Sequence, residues 1–503
     1  MKHNTPLSQG KDKRVVNNIL ISFGTKIVLM LLSIVIPRLF ILSYGSEVNG
    51  LLSTITQIFS YLALLEAGIG NASINALYKP LDNKNHEQVN QVIGESRAYF
   101  RRVTLFYALG VIGFSVAYPL LADSKVDAVT IAGIILLQGI GNCVTYYFSA
   151  AHTQLLIADG KNYFVDVITF CINVGTSLSK IILVSAGFDI LIVHLVFLVV
   201  TLFKAPLILG LCYKQYPWLK PIKTKRFNSI QERGAFIVHE ISTTIFSSTD
   251  VFLISTFCSF SLASVYSVYQ MIFGALNTMV NTANAGLGFL LGQNYYKDHQ
   301  KFLSLYDRYS TLYSGIVFVV MTVAHLMITP FISLYTAGVA DVNYQMAGLS
   351  LLFVLINLMS GVRAVAARLI AVTGHADKTK YRSIFETVIN LTASVILVNW
   401  IGIYGVLVGT IIALLYRTND IIIYANKVIL ERSPWHEYKG LLINSAVFAI
   451  IAIIAPQFII PAGSYLELIV SGFFVTVVVL VIYGSVMILM NRDFLKHKRI
   501  EKG

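Results

Sequence analysis

Residues 468–490 read LIVSGFFVTVVVLVIYGSVMILM and contain no charged side chain. A helix of about 20 apolar residues crosses the ~30 Å hydrocarbon layer of a bilayer, so this run predicts a transmembrane helix. Residues 15–41 form a second such run, interrupted only by Lys26 and Arg38. Over all 503 residues, 56% are hydrophobic and 13% are charged, about half the charge of a soluble domain. The sequence therefore predicts an integral membrane protein and excludes an ordinary soluble enzyme.

The apolar runs together predict an all-α protein with about 14 transmembrane helices, because each run is long enough to span the bilayer. The predicted spans are residues 15–41, 48–77, 103–121, 127–155, 164–186, 190–213, 234–257, 262–290, 309–335, 346–372, 383–401, 403–426, 440–458 and 466–490.

The basic residues predict the orientation of these helices. If the amino terminus is cytoplasmic, 30 of the 38 Lys and Arg residues fall in loops on the cytoplasmic side, and only Lys125 falls outside. An excess of Lys and Arg in cytoplasmic loops is the positive-inside signature of membrane proteins. We therefore expect a multi-pass protein of the cell membrane with both termini in the cytoplasm. The net charge of +13 reflects this orientation and does not indicate a nucleic-acid partner.

The organisation of the chain suggests two related lobes, as in many transporters. Residues 50–57 (GLLSTITQ) align with residues 263–270 (ASVYSVYQ), and Gln57 and Gln270 close the two segments. The two segments begin the second and eighth predicted helices, so the repeat unit is six helices. The predicted domains are an amino-terminal lobe, a basic linker, a carboxy-terminal lobe, and two further helices with a basic tail: residues 1–213, 214–233, 234–427 and 428–503.

Ionisable residues within the spans are candidates for function, because burying a charge in a membrane is costly. Lys26 and Glu66 both lie about 16 Å from the cytoplasmic ends of their helices at 1.5 Å per residue. They could form a structural ion pair, or Lys26 could face a cavity and meet an anion. Arg363 and Lys204 lie about 14 Å deep, whereas Arg38 is near an outer end, where its side chain can reach the interface.

Two predicted helices carry polar stripes. Glu240 and Asp250 share a face of the seventh helix, and Gln270, Asn277 and Asn281 share a face of the eighth. Such stripes either line a water-filled cavity or join helices through hydrogen bonds. The two carboxylates favour a cavity, while the amides alone are more typical of helix contacts.

On the eleventh predicted helix, Glu386 and Asn390 are one turn apart and could supply oxygen ligands to a cation. The alternative for Glu386 is a salt bridge with Arg382, four residues earlier. The four cysteines show no metal-ligand spacing, and no Walker, GxSxG or HExxH motif occurs. We therefore expect neither ATP hydrolysis nor another enzymatic activity, no metal site and no cofactor beyond a coupling ion.

Several motifs resemble those of bacterial polysaccharide repeat-unit flippases, members of the multidrug/oligosaccharidyl-lipid/polysaccharide exporter superfamily. The similar stretches are residues 36–45 and 50–51, residues 65–72 (LEAGIGNA), residues 248–250 and 266–267, residues 374–375 leading into 386–390, and residues 402–405 (GIYG). Their order and spacing cover the first twelve helices. Twelve helices are common in these flippases, and fourteen is a variant.

The resemblance implies two six-helix lobes around a central cationic cavity that opens alternately to either side, plus two carboxy-terminal helices. The implied substrate is an oligosaccharide on an undecaprenyl diphosphate carrier, moved to the outer leaflet for polymer assembly, with membrane lipids and polysaccharide polymerase machinery as further partners. Lys26 and Arg363, supported by Lys204 and Arg38, are expected to neutralise the diphosphate. Gln57, Gln270, Asn277 and Asn281 are expected to line the polar part of the cavity.

Two alternatives remain open on the sequence. A cation-coupled multidrug or small-molecule exporter of the same superfamily would favour acidic and aromatic rather than cationic cavity residues. A membrane polysaccharide polymerase or glycosyltransferase would need a larger extramembrane loop than this chain has. Because no nucleotide motif is present, movement must draw on an ion gradient or on consumption of the product. Na⁺ or proton coupling is therefore expected through the carboxylates and amide of Asp250, Glu240, Glu386 and Asn390.

Overall fold

The computed structural model describes residues 6–66, 69–121, 124–222, 234–295, 299–458 and 462–490, and every regular element in these ranges is a helix. The α-helices are α1 Pro6–Ala63, α2 Ile69–Asp82, α3 His86–Leu121, α4 Ala128–Val144, α5 Ala150–Ala158, α6 Asn162–Ser185, α7 Ile190–Leu202, α8 Lys204–Gln215, α9 Gly234–Phe257, α10 Phe260–Tyr295, α11 His299–Tyr335, α12 Leu349–Val362, α13 Ala364–Val372, α14 Ala376–Ile401, α15 Ile403–Tyr424, α16 Trp435–Ile454 and α17 Tyr465–Met490.

The described helices agree with a multi-pass membrane protein. Eleven of them are long and apolar enough to cross a bilayer, and Ile241–Phe257 is a shorter apolar helix. The all-helical class and the membrane-spanning character are therefore confirmed. The count of fourteen spans and the cytoplasmic location of the termini stay predictions.

The first two predicted spans lie in one helical stretch, α1, which is interrupted at Gly45. Gly45 has φ 87° and ψ 167°, a conformation that only glycine adopts without strain. The prediction of one uninterrupted helix over residues 48–77 is wrong. A 3₁₀ turn at Leu64–Glu66 ends the stretch, and α2 begins at Ile69, because the glycine-rich sequence of residues 66–70 is a poor helix former.

Four predicted spans are irregular within their length, which the hydropathy pattern did not indicate. Thr145–Ser149 and Ala425–Ile429 are π-helical, a geometry often found at functional sites. Phe203 separates α7 from α8, and Arg363 separates α12 from α13. The two deep cations Lys204 and Arg363 therefore both lie where a span is broken.

The chain divides into two compact units. The first comprises Met1–Ser248 with Ser259–Ser264, and the second comprises Thr249–Cys258 with Val265–Gly503. The boundary falls within α9 and α10. The predicted lobe boundaries at residues 213 and 234 stay predictions.

In the second unit, α14 and α15 form a closely packed antiparallel hairpin. A Cβ added at Gly405 would lie 2.3 Å from the Leu397 carbonyl carbon, and one at Gly409 would lie 2.4 Å from Ser394 Oγ. A side chain at either position would clash, so the glycines allow the two backbones to approach. Gly402, with φ 58°, makes the turn between the helices. This close approach brings the polar side chains of the hairpin into contact.

Candidate functional site: a polar hairpin with an oxygen cluster and an arginine–carboxylate network

One face of α14 carries Arg382, Glu386, Asn390 and Ser394 at intervals of four residues, so their side chains lie one above another. Only Arg382 lies near an end of the helix, and the other three are buried. The stripe contains two groups of contacts within the second unit. One is an oxygen cluster around Asp250, and the other is a network of ion pairs around Glu386.

The oxygen cluster joins α9, α10, α14 and α15. The Tyr266 hydroxyl donates a 2.8 Å hydrogen bond to Asp250 Oδ2, and the Thr410 hydroxyl lies 3.2 Å from the same oxygen. Asn390 Nδ2 donates to Thr410 Oγ1 at 2.9 Å. The Ser394 hydroxyl donates to the Val406 carbonyl at 3.2 Å. The structure therefore brings together the predicted residues Asp250 and Asn390.

This cluster holds more acceptors than its donors can satisfy. The Thr410 hydroxyl has one proton, yet it faces both Asp250 Oδ2 and the Val406 carbonyl, at 3.2 and 3.1 Å. Asn390 Oδ1 is buried and has no hydrogen-bond partner among the described residues, which costs free energy unless a cation or donor is present. Carboxylate, amide, hydroxyl and carbonyl oxygens suit a hard cation. A single carboxylate fits Na⁺ or a proton better than a divalent ion, so the residues fit the predicted coupling ion.

The ion-pair network lies one turn further along α14. Glu386 Oε1 accepts from Arg363 Nη1 at 2.6 Å, and Glu386 Oε2 lies 3.5 Å from Arg417 Nε. Arg417 also pairs with Asp420 at 2.6 Å, and Asp420 pairs with Arg382. The predicted salt bridge between Arg382 and Glu386 is wrong. Although the four-residue spacing permits it, α12 and α15 place two other guanidinium groups against Glu386.

The network changes the interpretation of two predicted residues. Glu386 is held between two arginines, so it serves as a counter-charge and is not part of the oxygen cluster. Arg363 is one of three arginines that face two carboxylates, and the network keeps one excess positive charge. The Arg417 side chain is only 8% exposed, so these charges are compensated by each other rather than by water.

In the first unit, the described neighbours of Glu66 do not include Lys26. The carboxylate of Glu66 is hydrogen-bonded by Tyr146 in the π-helical segment Thr145–Ser149 and lies within electrostatic range of Lys204. Equal depth in the membrane fixes only the height of two residues, and Lys26 and Glu66 face different surroundings. Lys204 and Glu66 therefore repeat, within the first unit, the pairing of a cation at a helix break with a carboxylate.

The remaining predicted cations differ in exposure. Lys26 lies on an exposed part of α1, and Arg38 is half-buried on the same helix. Of the side chains described, Lys26 is therefore the predicted phosphate ligand with the most accessible charge. The side chain of Glu240 lies outside the part of the chain that the structure describes.

The predicted amide stripe is partly used for helix contacts. Asn277 donates to Asn357 on α12, and the Tyr313 hydroxyl of α11 lies 3.5 Å from Asn281 Oδ1. Gln57 and Gln270 are half-buried. For Asn277 the structure thus supports the hydrogen-bonding alternative.

Sequence reasoning missed Arg417, Asp420 and Thr410. Arg417 and Asp420 are two charges three residues apart in an apolar helix, and their pairing across one turn was a signal that could have singled them out. Thr410 carried no such signal, because a lone threonine in a helix usually bonds its own backbone.

No protein-family model and no curated protein sequence matches this chain, but solved structures do. The structure titled lipid II flippase MurJ, inward closed conformation, has a TM-score of 0.70 at 13% identity and covers 95% of this chain and 100% of that chain. An inward-facing MATE family transporter of the MOP superfamily has a TM-score of 0.55 at 14% identity, covering 85% and 95%. The MATE multidrug transporter DinF-BH, in complex with rhodamine 6G, has a TM-score of 0.56 at 15% identity, covering 81% and 94%.

At these identities the similarity establishes the fold. The resemblance found in the sequence motifs is confirmed at that level: the chain has the fold that the flippase MurJ shares with the MATE transporters of the MOP superfamily.

Proposed function

We propose that this protein is a flippase that moves a lipid-linked oligosaccharide with an undecaprenyl diphosphate carrier from the cytoplasmic to the outer leaflet of the cell membrane, by alternating access. The observation that carries the proposal is the similarity of fold to the lipid II flippase MurJ over 95% of this chain. The polysaccharide motifs in the sequence support an oligosaccharide rather than another cargo.

The physical problem for such a carrier is its diphosphate. Moving an unpaired charge into hydrocarbon costs several kcal/mol or more, so the path must supply positive charge while the lipid tail stays in the bilayer. Lys26 provides an exposed cation within a membrane helix, and Arg38 lies on the same helix. The network around Arg363 adds one excess positive charge.

State switching is proposed to use the oxygen cluster. Binding of Na⁺ or a proton beside Asp250 would satisfy Asn390 Oδ1 and the oxygens that share the Thr410 proton. A ligand shifts a conformational equilibrium by its differential affinity for the two states. Any change in the distance between α9 and the α14–α15 hairpin would change this affinity, because the ligands come from all three helices.

A cation-coupled exporter of small molecules is the second candidate. Two observations favour it: the MATE structures share the fold, and both Arg363 and Lys204 have carboxylate neighbours. These acids reduce the positive charge that the sequence had suggested for the transport path.

Reconstituted vesicles distinguish the two functions. A fluorescent undecaprenyl diphosphate oligosaccharide in both leaflets is exposed to an impermeant quencher, and the flippase is expected to make nearly all of it accessible. The same oligosaccharide on a neutral polyprenol is the control, which should not be moved faster than in empty vesicles. Transport of a cationic fluorescent dye without movement of the lipid would contradict the flippase proposal and support the exporter.

Replacing Lys26 by Ala is expected to slow movement of the diphosphate carrier about 10- to 100-fold, which corresponds to one lost charge-assisted hydrogen bond of about 1.5–3 kcal/mol. Because Lys26 is exposed, the melting temperature should hardly change. Lys26→Arg should keep most of the rate, and Lys125→Ala, outside the membrane spans, is the matched control. Equal rates in Lys26→Ala and the wild type would exclude Lys26 as a phosphate ligand.

A further inference from the structure

A cavity of about 860 Å³ lies within the second unit between α11, α16 and α17. It lies where α11 and α16 begin and α17 ends, so all three contribute residues from the same side of the membrane. That side is the predicted cytoplasmic one. The cavity is separate from the oxygen cluster and from the arginine network, and none of their residues lines it.

The inner end of this cavity contains two unsatisfied polar groups. Asn444 is 2% exposed and Ser314 is 8% exposed, and both line the cavity. Asn444 Oδ1 and Ser314 Oγ are buried and have no hydrogen-bond partner among the described residues. Buried polar groups are rarely left unpaired in proteins. Two of them beside one cavity indicate an occupant that forms hydrogen bonds.

The groups at the mouth favour a negatively charged occupant. Both acids of the lining are already engaged: Asp307 pairs with Arg432 at 2.7 Å, and Glu437 accepts from Asn426 at 2.7 Å. Among the described residues, no acid pairs with Lys439, which also lines the cavity. The lining therefore offers a positive charge and hydrogen-bond donors, while its carboxylates are already occupied.

The apolar part of the lining shows that the occupant is amphipathic. Leu441, Ile443, Val486 and Leu489 line the cavity beside the polar residues, and Leu489 is largely exposed. Trp435 at the mouth is also exposed, as is typical of residues at a membrane interface. Asn444 lies nine residues into α16, about 14 Å from its beginning at 1.5 Å per residue. The cavity thus runs along the membrane normal from the interface into the hydrocarbon.

We propose that this cavity binds an anionic, hydroxyl-bearing phospholipid of the inner leaflet, of the phosphatidylglycerol class. Its phosphate contacts Lys439 and the hydroxyl groups of α11, and its acyl chains lie along the wall of α17. The oxygen atoms of its glycerol parts meet Ser314 and Asn444. The amide of Asn444 can rotate to offer either its donor or its acceptor. This site is independent of the transported substrate.

Native mass spectrometry of the full-length protein, titrated with phosphatidylglycerol or phosphatidylcholine, tests the proposal. Phosphatidylglycerol is expected to bind at least several-fold more tightly. Lys439→Ala should weaken its binding about fivefold, as expected for one basic residue at an anionic lipid surface. Lys427→Ala is the matched control, because Lys427 is exposed on the neighbouring π-helical segment but does not line the cavity. Thr311→Leu, which fills the cavity without changing the charge, should weaken binding by a similar factor.

Three results would overturn the proposal. The first is equal affinity for the two lipids, and the second is equal loss in Lys439→Ala and Lys427→Ala. The third is displacement of the lipid by millimolar glycerol 3-phosphate or inorganic phosphate, which would make the site one for a soluble anion. Wild-type melting temperatures in the variants before lipid addition ensure that the comparison concerns folded protein.

Discussion

Glu386→Gln is expected to destabilise the second unit by about 3–5 kcal/mol, the cost of removing one partner from a buried ion pair. The Glu386 side chain is 10% exposed and faces both Arg363 and Arg417. Its neutralisation leaves three guanidinium groups against Asp420 alone. Water cannot compensate this excess, because Arg417 is equally buried.

Unfolding in detergent, followed by the fluorescence of the three tryptophans, measures the effect. Arg363→Gln is the matched control. It leaves two arginines against two carboxylates, so it should cost much less, although it removes the same hydrogen bond.

The double variant Arg363→Gln with Glu386→Gln restores the native excess of one positive charge and should recover most of the stability lost in Glu386→Gln. A double variant as unstable as Glu386→Gln would show that packing rather than charge balance holds the network together.

Hydropathy and charge predicted the class of this fold well, because both report directly on the solvent. A bilayer requires long apolar helices, and the distribution of Lys and Arg predicts their orientation. Neither quantity senses where a helix is interrupted. The breaks at Phe203 and Arg363 and the π-helical segments leave the apolar run intact, so each span was predicted as one continuous helix.

The oxygen cluster was half predictable. Asp250 and Asn390 could be found from sequence because a carboxylate and an amide in apolar helices are costly. That they meet depends on the close approach of α14 and α15, which the glycines at 405 and 409 permit. The motif at residues 402–405 pointed to a family, but not to the contact between the helices.

The ion pairs were less predictable, since helical spacing gives the partner within one helix and not the partner on the next. Arg382 is correctly spaced for Glu386 and instead contacts Asp420 on α15. Lys26 and Glu66 have equal depth but different neighbours. Depth and spacing limit the candidates, whereas the rotation of each helix about its axis decides among them.

Asp250→Asn is expected to abolish the dependence of transport on a Na⁺ or proton gradient. The substitution keeps the shape of the side chain and one acceptor but removes the only carboxylate of the oxygen cluster among the described residues. It also adds an amide donor where a cation would bind. Transport driven by the gradient in reconstituted vesicles should fall to the rate measured without a gradient, a loss of at least tenfold if the ion drives the cycle.

A second measurement separates ion binding from transport. A ligand that binds only the folded state stabilises it by RT ln(1 + [L]/Kd), about 2.7 kcal/mol at a concentration of 100 Kd. If Na⁺ is the ion, raising its concentration against a K⁺ background should raise the melting temperature of the wild type but not that of Asp250→Asn. Thr410→Val should reduce this shift, because it removes one ligand oxygen, while Asp341→Asn, far along the chain in a loop, should retain it. If protons are the ion, the shift should appear on lowering the pH instead and should again be absent in Asp250→Asn. An undiminished response of Asp250→Asn to both ions would show that the cluster only joins α9 to the hairpin, and that the driving force enters elsewhere.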